Sequence, residues 1–135
     1  MPVILDAGPL VAFLNRRDRH HAWAKNAFQG VPPGVRTCEA VVSEACFRLR
    51  AVEGASDAVF GVIDQGLIRV SFHLDQEALA VRKLMKKYAD VPMSFADACL
   101  VRKAELDARA TVLTVDSDFR LYRKLGRSVI PVLMP

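Results

Sequence analysis

At 135 residues the chain is long enough to bury one sizeable core, and residues 1–135 read as a single domain. Hydrophobic residues at 52% and charged residues at 25% exclude a disordered or low-complexity chain, and no apolar run approaches the ~18 residues of a membrane span. Lys and Arg total 19 against 15 Asp and Glu, a formal charge of +4 that favours a polyanionic partner.

In chain order, "PVILDAG" is a short apolar run ending in Asp6. It predicts a strand, with Pro9 at or near the start of a helix over "PLVAFLNRR". The opening "MPVILDAGPL" has no basic stretch before its apolar run and meets an acid early, so it reads as structure rather than as a signal peptide. A second helix over "HHAWAKNAFQG" stops at Gly30 and the Pro32-Pro33-Gly34 turn. "VRTC" is a brief strand. Residues 39–52 are helical, with Val41, Val42, Ala45, Cys46 and Leu49 forming an apolar stripe. A short helix ("SDAVFGVIDQG"), a strand ("LIRVSF") and two more helices ("QEALAVRKLMKKYA" and "SFADACLVRKAEL") follow. The strand Thr111–Val115 leads to a helix over "DFRLYRKLG" that ends at Gly126. "VIPVL" closes the chain as a strand whose Pro131 suggests a sheet edge. Alternating strands and helices predict an α/β fold with a parallel sheet of about five strands and right-handed crossovers.

Cys38, Cys46 and Cys99 are scattered in apolar contexts. They read as free thiols of a protein in a reducing cytoplasm rather than as a zinc site.

Four acids fall outside ordinary helix surfaces. Asp6 and Asp116 end strands, Glu44 sits at the edge of an apolar stripe, and Asp97 shares a helical face with Leu100, Val101 and Ala104. Each has a structural reading of its own. Asp6 suits a turn, and Glu44 a solvated boundary. Asp97 completes a capping box with Ser94, while Asp116 caps the next helix with Asp118 in its first turn. In parallel sheets, however, ligands bind beyond the carboxyl ends of strands, and there these acids would gather. Two carboxylates ~5 Å apart repel by roughly 3 kcal/mol at an effective dielectric of ~20. A hard divalent cation offsets that repulsion, and Mg²⁺ or Mn²⁺ suits a set of oxygen donors without His or Cys. Such a site activates water and supports in-line displacement at phosphorus. Arg120, Arg123 and Lys124, directly after the Asp116–Asp118 pair, are candidates to hold flanking phosphates. The cluster of Arg16, Arg17 and Arg19 with His20 and His21 reads as a solvated loop or as the lining of an RNA or partner groove.

The segments "VILDAGPLVAFLN", "EAVVSEACFRL", "YADVPMSFADACLV" and "TVLTVDSDFRLYR" together resemble the PIN domain, especially its VapC-like branch of bacterial toxin ribonucleases. The resemblance covers essentially the whole chain. It implies a three-layer α/β/α fold with strand order 3-2-1-4-5, which sets the Asp6 and Asp116 strands side by side. It implies Mg²⁺- or Mn²⁺-dependent endonuclease cleavage of RNA, a homodimer, and a cognate antitoxin. Position by position, Asp6, Glu44 and Asp97 match the core metal-binding acids, Asp116 the fourth and more variable acid, and Asp118 an auxiliary acid. The chain departs from the pattern at Gly8-Pro9, where many members carry a hydroxyl, and at Ser94, where many carry Asp.

The reading is therefore a metal-dependent endoribonuclease, a toxin of a toxin–antitoxin pair. The alternatives are a non-catalytic RNA- or partner-binding PIN domain and a housekeeping RNA-processing nuclease. A receiver-like domain is excluded by the lack of an acid in "LIRVSF" and of a Lys beside "VIPVL", and a haloacid dehalogenase-type phosphatase by Gly8.

Overall fold

The structure is a computed structural model and describes residues 2–135. In chain order it contains β1 (Val3–Leu5), α1 (Ala7–Leu14), α2 (His21–Gln29), β2 (Val35–Thr37), α3 (Glu39–Arg48) and α4 (Ala55–Asp64). Then come β3 (Ile68–Val70), α5 (Leu74–Lys87), α6 (Phe95–Leu106) and β4 (Thr111–Leu113). A single 3-10 turn (Ser117–Arg120), β5 (Arg123–Lys124), β6 (Ser128–Val129) and β7 (Val132–Leu133) complete it. The main sheet is parallel, in the order β3-β2-β1-β4-β7. This is the expected 3-2-1-4-5 arrangement, with β7 as the fifth strand.

Strand alternation explains the layers. Side chains along a strand point to opposite faces, so a strand covered on both sides is apolar throughout. β1 is such a strand, and all three of its residues are buried. Val3 and Leu5 join Leu10, Val11, Ala45, Leu49 and Val59 in a core beneath α1, α3 and α4. Ile4 faces the other way, into a core built with Val81, Leu84, Leu100 and Val101 of α5 and α6. The two cores sandwich the sheet, which is the three-layer architecture. β2 and β3 are covered on one face only. Val35 and Ile68 are buried, while Arg36 and Arg69 are exposed on the opposite face.

Helix starts follow the expected chemistry. Asp6 caps α1, its carboxylate accepting from the Ala7 N–H at 2.8 Å. Pro9 lies in the first turn, where its missing N–H breaks no helical bond. Ser94 caps α6, accepting from the Asp97 N–H at 3.0 Å. The sheet ends at β7, so Pro131 does sit beside an edge strand.

One element differs from expectation. The segment read as a final helix through Gly126 makes only the 3-10 turn and then the antiparallel hairpin β5–β6. Phe119 and Tyr122 have helix-like spacing, but both are fully buried against the α5–α6 side. Leu125 and Gly126 both take positive φ, 51° and 86°. The glycine that looked like a helix stop is therefore a hairpin-turn glycine. The cysteines are free, with Cys38 and Cys99 buried. Among the described residues no helix is long and apolar enough to cross a membrane.

Candidate active site

β1 and β4 are neighbours paired along their whole length, Val3 to Thr111 and Leu5 to Leu113. Their carboxyl ends therefore deliver Asp6 and the Thr114–Asp118 loop to the same edge. α6 starts at that edge and presents Asp97, and α3 brings Glu44. All five carboxylates (Asp6, Glu44, Asp97, Asp116 and Asp118) line one pocket of about 280 Å³, together with Gly8, Arg48 and Ser94.

Asp6 is the deepest of them, 6% exposed. Its Oδ1 accepts from the Ala7 N–H, and its Oδ2 accepts from the Thr114 hydroxyl at 2.7 Å. Burial pushes its pKa up from 3.8 to about 6; the two hydrogen bonds oppose this, while the Asp97 and Glu44 charges add to it. The pKa of Asp97 is raised as well, first by burial, then by the Asp116 and Glu44 charges; a hydrogen bond from the Tyr122 hydroxyl to its Oδ2 at 2.8 Å resists. Asp116 Oδ1 accepts from the Asp118 N–H at 2.9 Å, which folds the loop back on itself. Glu44 is half-exposed and pairs with Arg48 one helical turn on, at 3.7 Å.

These donors are all hard oxygens, with neither imidazole nor thiol among them, which fits an Mg²⁺-class ion rather than zinc. Among the described residues no three of them are closed into an ion cage. Asp97 is turned to Tyr122 and Glu44 to Arg48, so the pocket holds its acids in reach of one another rather than in contact.

The expected basic residues are not brought to this pocket. Lys124 is buried, its ammonium donating to the Ala108 carbonyl at 3.0 Å. Arg123 turns back to donate to the carbonyls of Arg120, Leu121 and Tyr122. Arg120 is exposed on the 3-10 turn and does not line the pocket. All three were placed on a continuous helix by their sequence, and the hairpin redirects them.

Three residues that sequence reasoning passed over belong here. Arg48 is the basic side chain of the pocket, and its i+4 spacing from Glu44 was a readable signal. Thr114 donates to Asp6 and accepts from the Asp116 N–H at 2.9 Å, tying two acids together. It thereby supplies Asp6 with a hydroxyl that the Gly8-Pro9 sequence lacks. A Cβ at position 8 would collide with Cγ2 of Val115, so a side chain there requires Val115 to shift. Tyr122 is fully buried between the rings of Tyr88 and Phe119, which fixes the hydroxyl it points at Asp97. No sequence signal pairs it with Asp97, 25 residues away.

Comparison with known proteins bears on the fold and the family. Among solved structures the fold is similar to that of VapC20 of Mycobacterium tuberculosis, described as a toxin that cleaves the sarcin–ricin loop. The TM-score is 0.76 at 22% identity, over 86% of this chain and 91% of that one. The likeness is one of fold. The curated proteins yield no match. The family model described as PIN domain matches residues 3–125, from the first residue of β1 to the hairpin turn after β5, and the chain belongs to the PIN domain family.

Proposed function

We propose that this PIN domain is an Mg²⁺- or Mn²⁺-dependent endoribonuclease, acting in the cytoplasm as the toxin of a toxin–antitoxin pair. The observation that carries this reading is the gathering of five carboxylates in one pocket at the carboxyl ends of β1 and β4, with a nearly inaccessible Asp6 at its floor. Asp6, Glu44, Asp97 and Asp116 would hold the ion, with Asp118 beside them. When bound, the ion supplies charge stabilisation and water activation at a phosphodiester. The chain's own residues supply position. Thr114 fixes the Asp6 carboxylate, Tyr122 fixes Asp97, and Arg48 stands at the pocket with a fork suited to a flanking phosphate. The likeness in fold to a sarcin–ricin-loop toxin supports the toxin role, and self-association and an antitoxin partner belong to the same reading.

The test is cleavage of structured and single-stranded RNAs with Mg²⁺, Mn²⁺ or EDTA, for the wild type beside Asp6→Asn and Asp97→Asn. Stabilisation of the metal-free protein against heat by each ion is measured in parallel. Metal-dependent cutting that disappears in both folded variants, with loss of the metal-induced stabilisation, supports the reading. RNA binding without cutting under either metal would replace it with a non-catalytic PIN domain.

A further inference from the structure

A second charged pocket lies away from the acids. Arg36 of β2 and Arg69 of β3 are register partners on neighbouring strands, and both are exposed on the sheet face opposite the α1–α3–α4 core. Lys103 of α6 faces the same pocket of about 360 Å³, together with Ser71 and Asp107. Lys103 is only 8% exposed. Its ammonium donates to the Ser71 hydroxyl at 3.0 Å and to the Ser71 carbonyl at 3.3 Å. An ammonium has three donors, so these two bonds leave one.

Like charges directly opposite on adjacent strands oppose folding, and a buried ammonium is normally paired. Here three cations share one pocket with a single carboxylate, Asp107. That acid is itself divided between Arg36 at 3.6 Å and the exposed Arg109 at 3.9 Å. Burial above all holds the Lys103 ammonium below its ordinary pKa; the Cys38 thiol opposes this and the Arg36 charge adds to it. The protein thus keeps a surplus of positive charge where packing does not call for it. An oxyanion would accept from two guanidinium forks, an ammonium and a hydroxyl there.

We propose that the Arg36–Arg69–Lys103 pocket is a second, non-catalytic site for a phosphate group of an RNA strand. The proposal rests on the ribonuclease reading for the identity of the strand. The two sites share one element but not one face of it: Lys103 lies six residues beyond Asp97 on α6, roughly 9 Å along the helix axis and about a third of a turn round it. An RNA cut at the carboxyl edge of β1 and β4 would be gripped beside the cut by the open face of β2 and β3.

Binding is measured by fluorescence anisotropy in EDTA, so that it does not depend on cleavage. The probe is a labelled single-stranded RNA of about 20 nucleotides, with about one phosphate per nucleotide, titrated over a range of salt. Inorganic phosphate is followed separately by the amide chemical shifts of residues 69–71. The variants are Arg36→Gln with Arg69→Gln, and a charge-matched control, Lys83→Gln with Lys86→Gln, on exposed positions of α5. The double Arg variant is expected to bind RNA about tenfold more weakly, with a log K against log salt slope shallower by roughly 1.4, the value for two lost contacts to a single strand. The control is expected to change much less. Equal losses in both variants would reduce the effect to bulk charge and overturn the proposal. So would unchanged RNA binding in the Arg variant, and that outcome would leave the ribonuclease reading standing. RNA that fails to bind while phosphate still shifts residues 69–71 would make this a small-anion site and overturn the assignment to RNA.

Discussion

The two charged pockets of this protein make opposite use of the same sheet. At the carboxyl ends of β1 and β4, five carboxylates line one pocket whose deepest member is almost fully buried. Over β2 and β3, three cations meet on a face that no helix covers completely, and two of them remain exposed. Both pockets gather like charge, but the physical consequences differ in size. Burial pushes the pKa of Asp6 up to about 6, whereas Arg36 and Arg69 stay in high dielectric, where the same repulsion is screened. On the proposed reading the acid pocket therefore costs the metal-free fold stability that its counter-ion would return. The basic pocket can take and release a strand at little cost.

The largest expected effect lies in the acid pocket. Asp97→Asn should lower the rate of metal-dependent RNA cleavage on the order of 100-fold or more, the scale for removing one preorganised electrostatic group from an active site. The variant should keep its circular dichroism spectrum, because Ser94 still accepts from the unchanged backbone N–H of residue 97 and the Tyr122 hydroxyl can still donate to the carboxamide oxygen. A single-turnover assay with RNA in limiting amount reads this directly. A rate within threefold of wild type (about 0.7 kcal/mol) would remove Asp97 from the site.

Asp6 makes the contrast in stability. Its pKa in the fold, about 6, lies above the ordinary 3.8, so the metal-free fold binds a proton more readily than the unfolded chain does. The stability tied to that proton is fully present below a pH of about 3.8 and is lost as pH rises through about 6. At about 1.4 kcal/mol per pKa unit, the cost near neutral pH is of the order of 2–3 kcal/mol. In EDTA, Asp6→Asn should therefore raise the denaturant midpoint near neutral pH, and the gain should shrink towards pH 4. Saturating Mg²⁺ should reverse the order by stabilising the wild type more. A variant less stable than wild type at every pH would mean that the Thr114 and Ala7 bonds outweigh the burial of the charge.

Tyr122 sharpens the comparison from inside the acid pocket. Tyr122→Phe keeps the ring between Tyr88 and Phe119 and deletes only the hydroxyl on Asp97. A loss of about 1 kcal/mol in stability is expected. With it should come a roughly tenfold rise in the Mg²⁺ concentration needed for half-maximal cleavage, the low end for a residue that orients a metal ligand. If the hydroxyl served only the fold, stability would change and the metal requirement would not.

What the chain disclosed beforehand follows the same division between near and far. The parallel sheet was legible because strands and helices alternate along the chain, which leaves crossovers rather than hairpins between the strands. Asp6, Asp97 and Asp116 were legible because each stands beside a strand end or a cap that local pattern fixes. The strand order came from the family resemblance, not from periodicity. Thr114 and Tyr122 were hidden because their partners lie 108 and 25 residues away, and no local rule carries that information. The basic stretch after Asp118 misled for a related reason. Helical spacing of Phe119 and Tyr122 looks the same whether a helix or a turn buries them, and only Leu125 and Gly126, with their positive φ, decide for the hairpin. Arg36 and Arg69 drew no notice because each is one polar residue in a half-covered strand. Their register is a property of the sheet.

The smallest expected effect belongs to that register. Arg69→Thr exchanges one member of a like-charged cross-strand pair for a residue favoured in strands. Stability should rise by a few tenths of a kcal/mol, up to about 1, at low ionic strength. Because both guanidinium groups are exposed, the gain should fade as salt rises from about 50 to 500 mM and the screening length contracts below the spacing of the pair. In EDTA and monovalent salt the gain from Asp6→Asn should persist over the same range, since it comes from the desolvation of a carboxylate that is 6% exposed, which diffuse screening does not relieve. Parallel denaturation series at two salt concentrations therefore separate the pockets by mechanism. If the Arg69→Thr gain survived high salt, the repulsion between Arg36 and Arg69 would be a buried one. The β2–β3 face would then be shielded from solvent in solution rather than open to a passing strand.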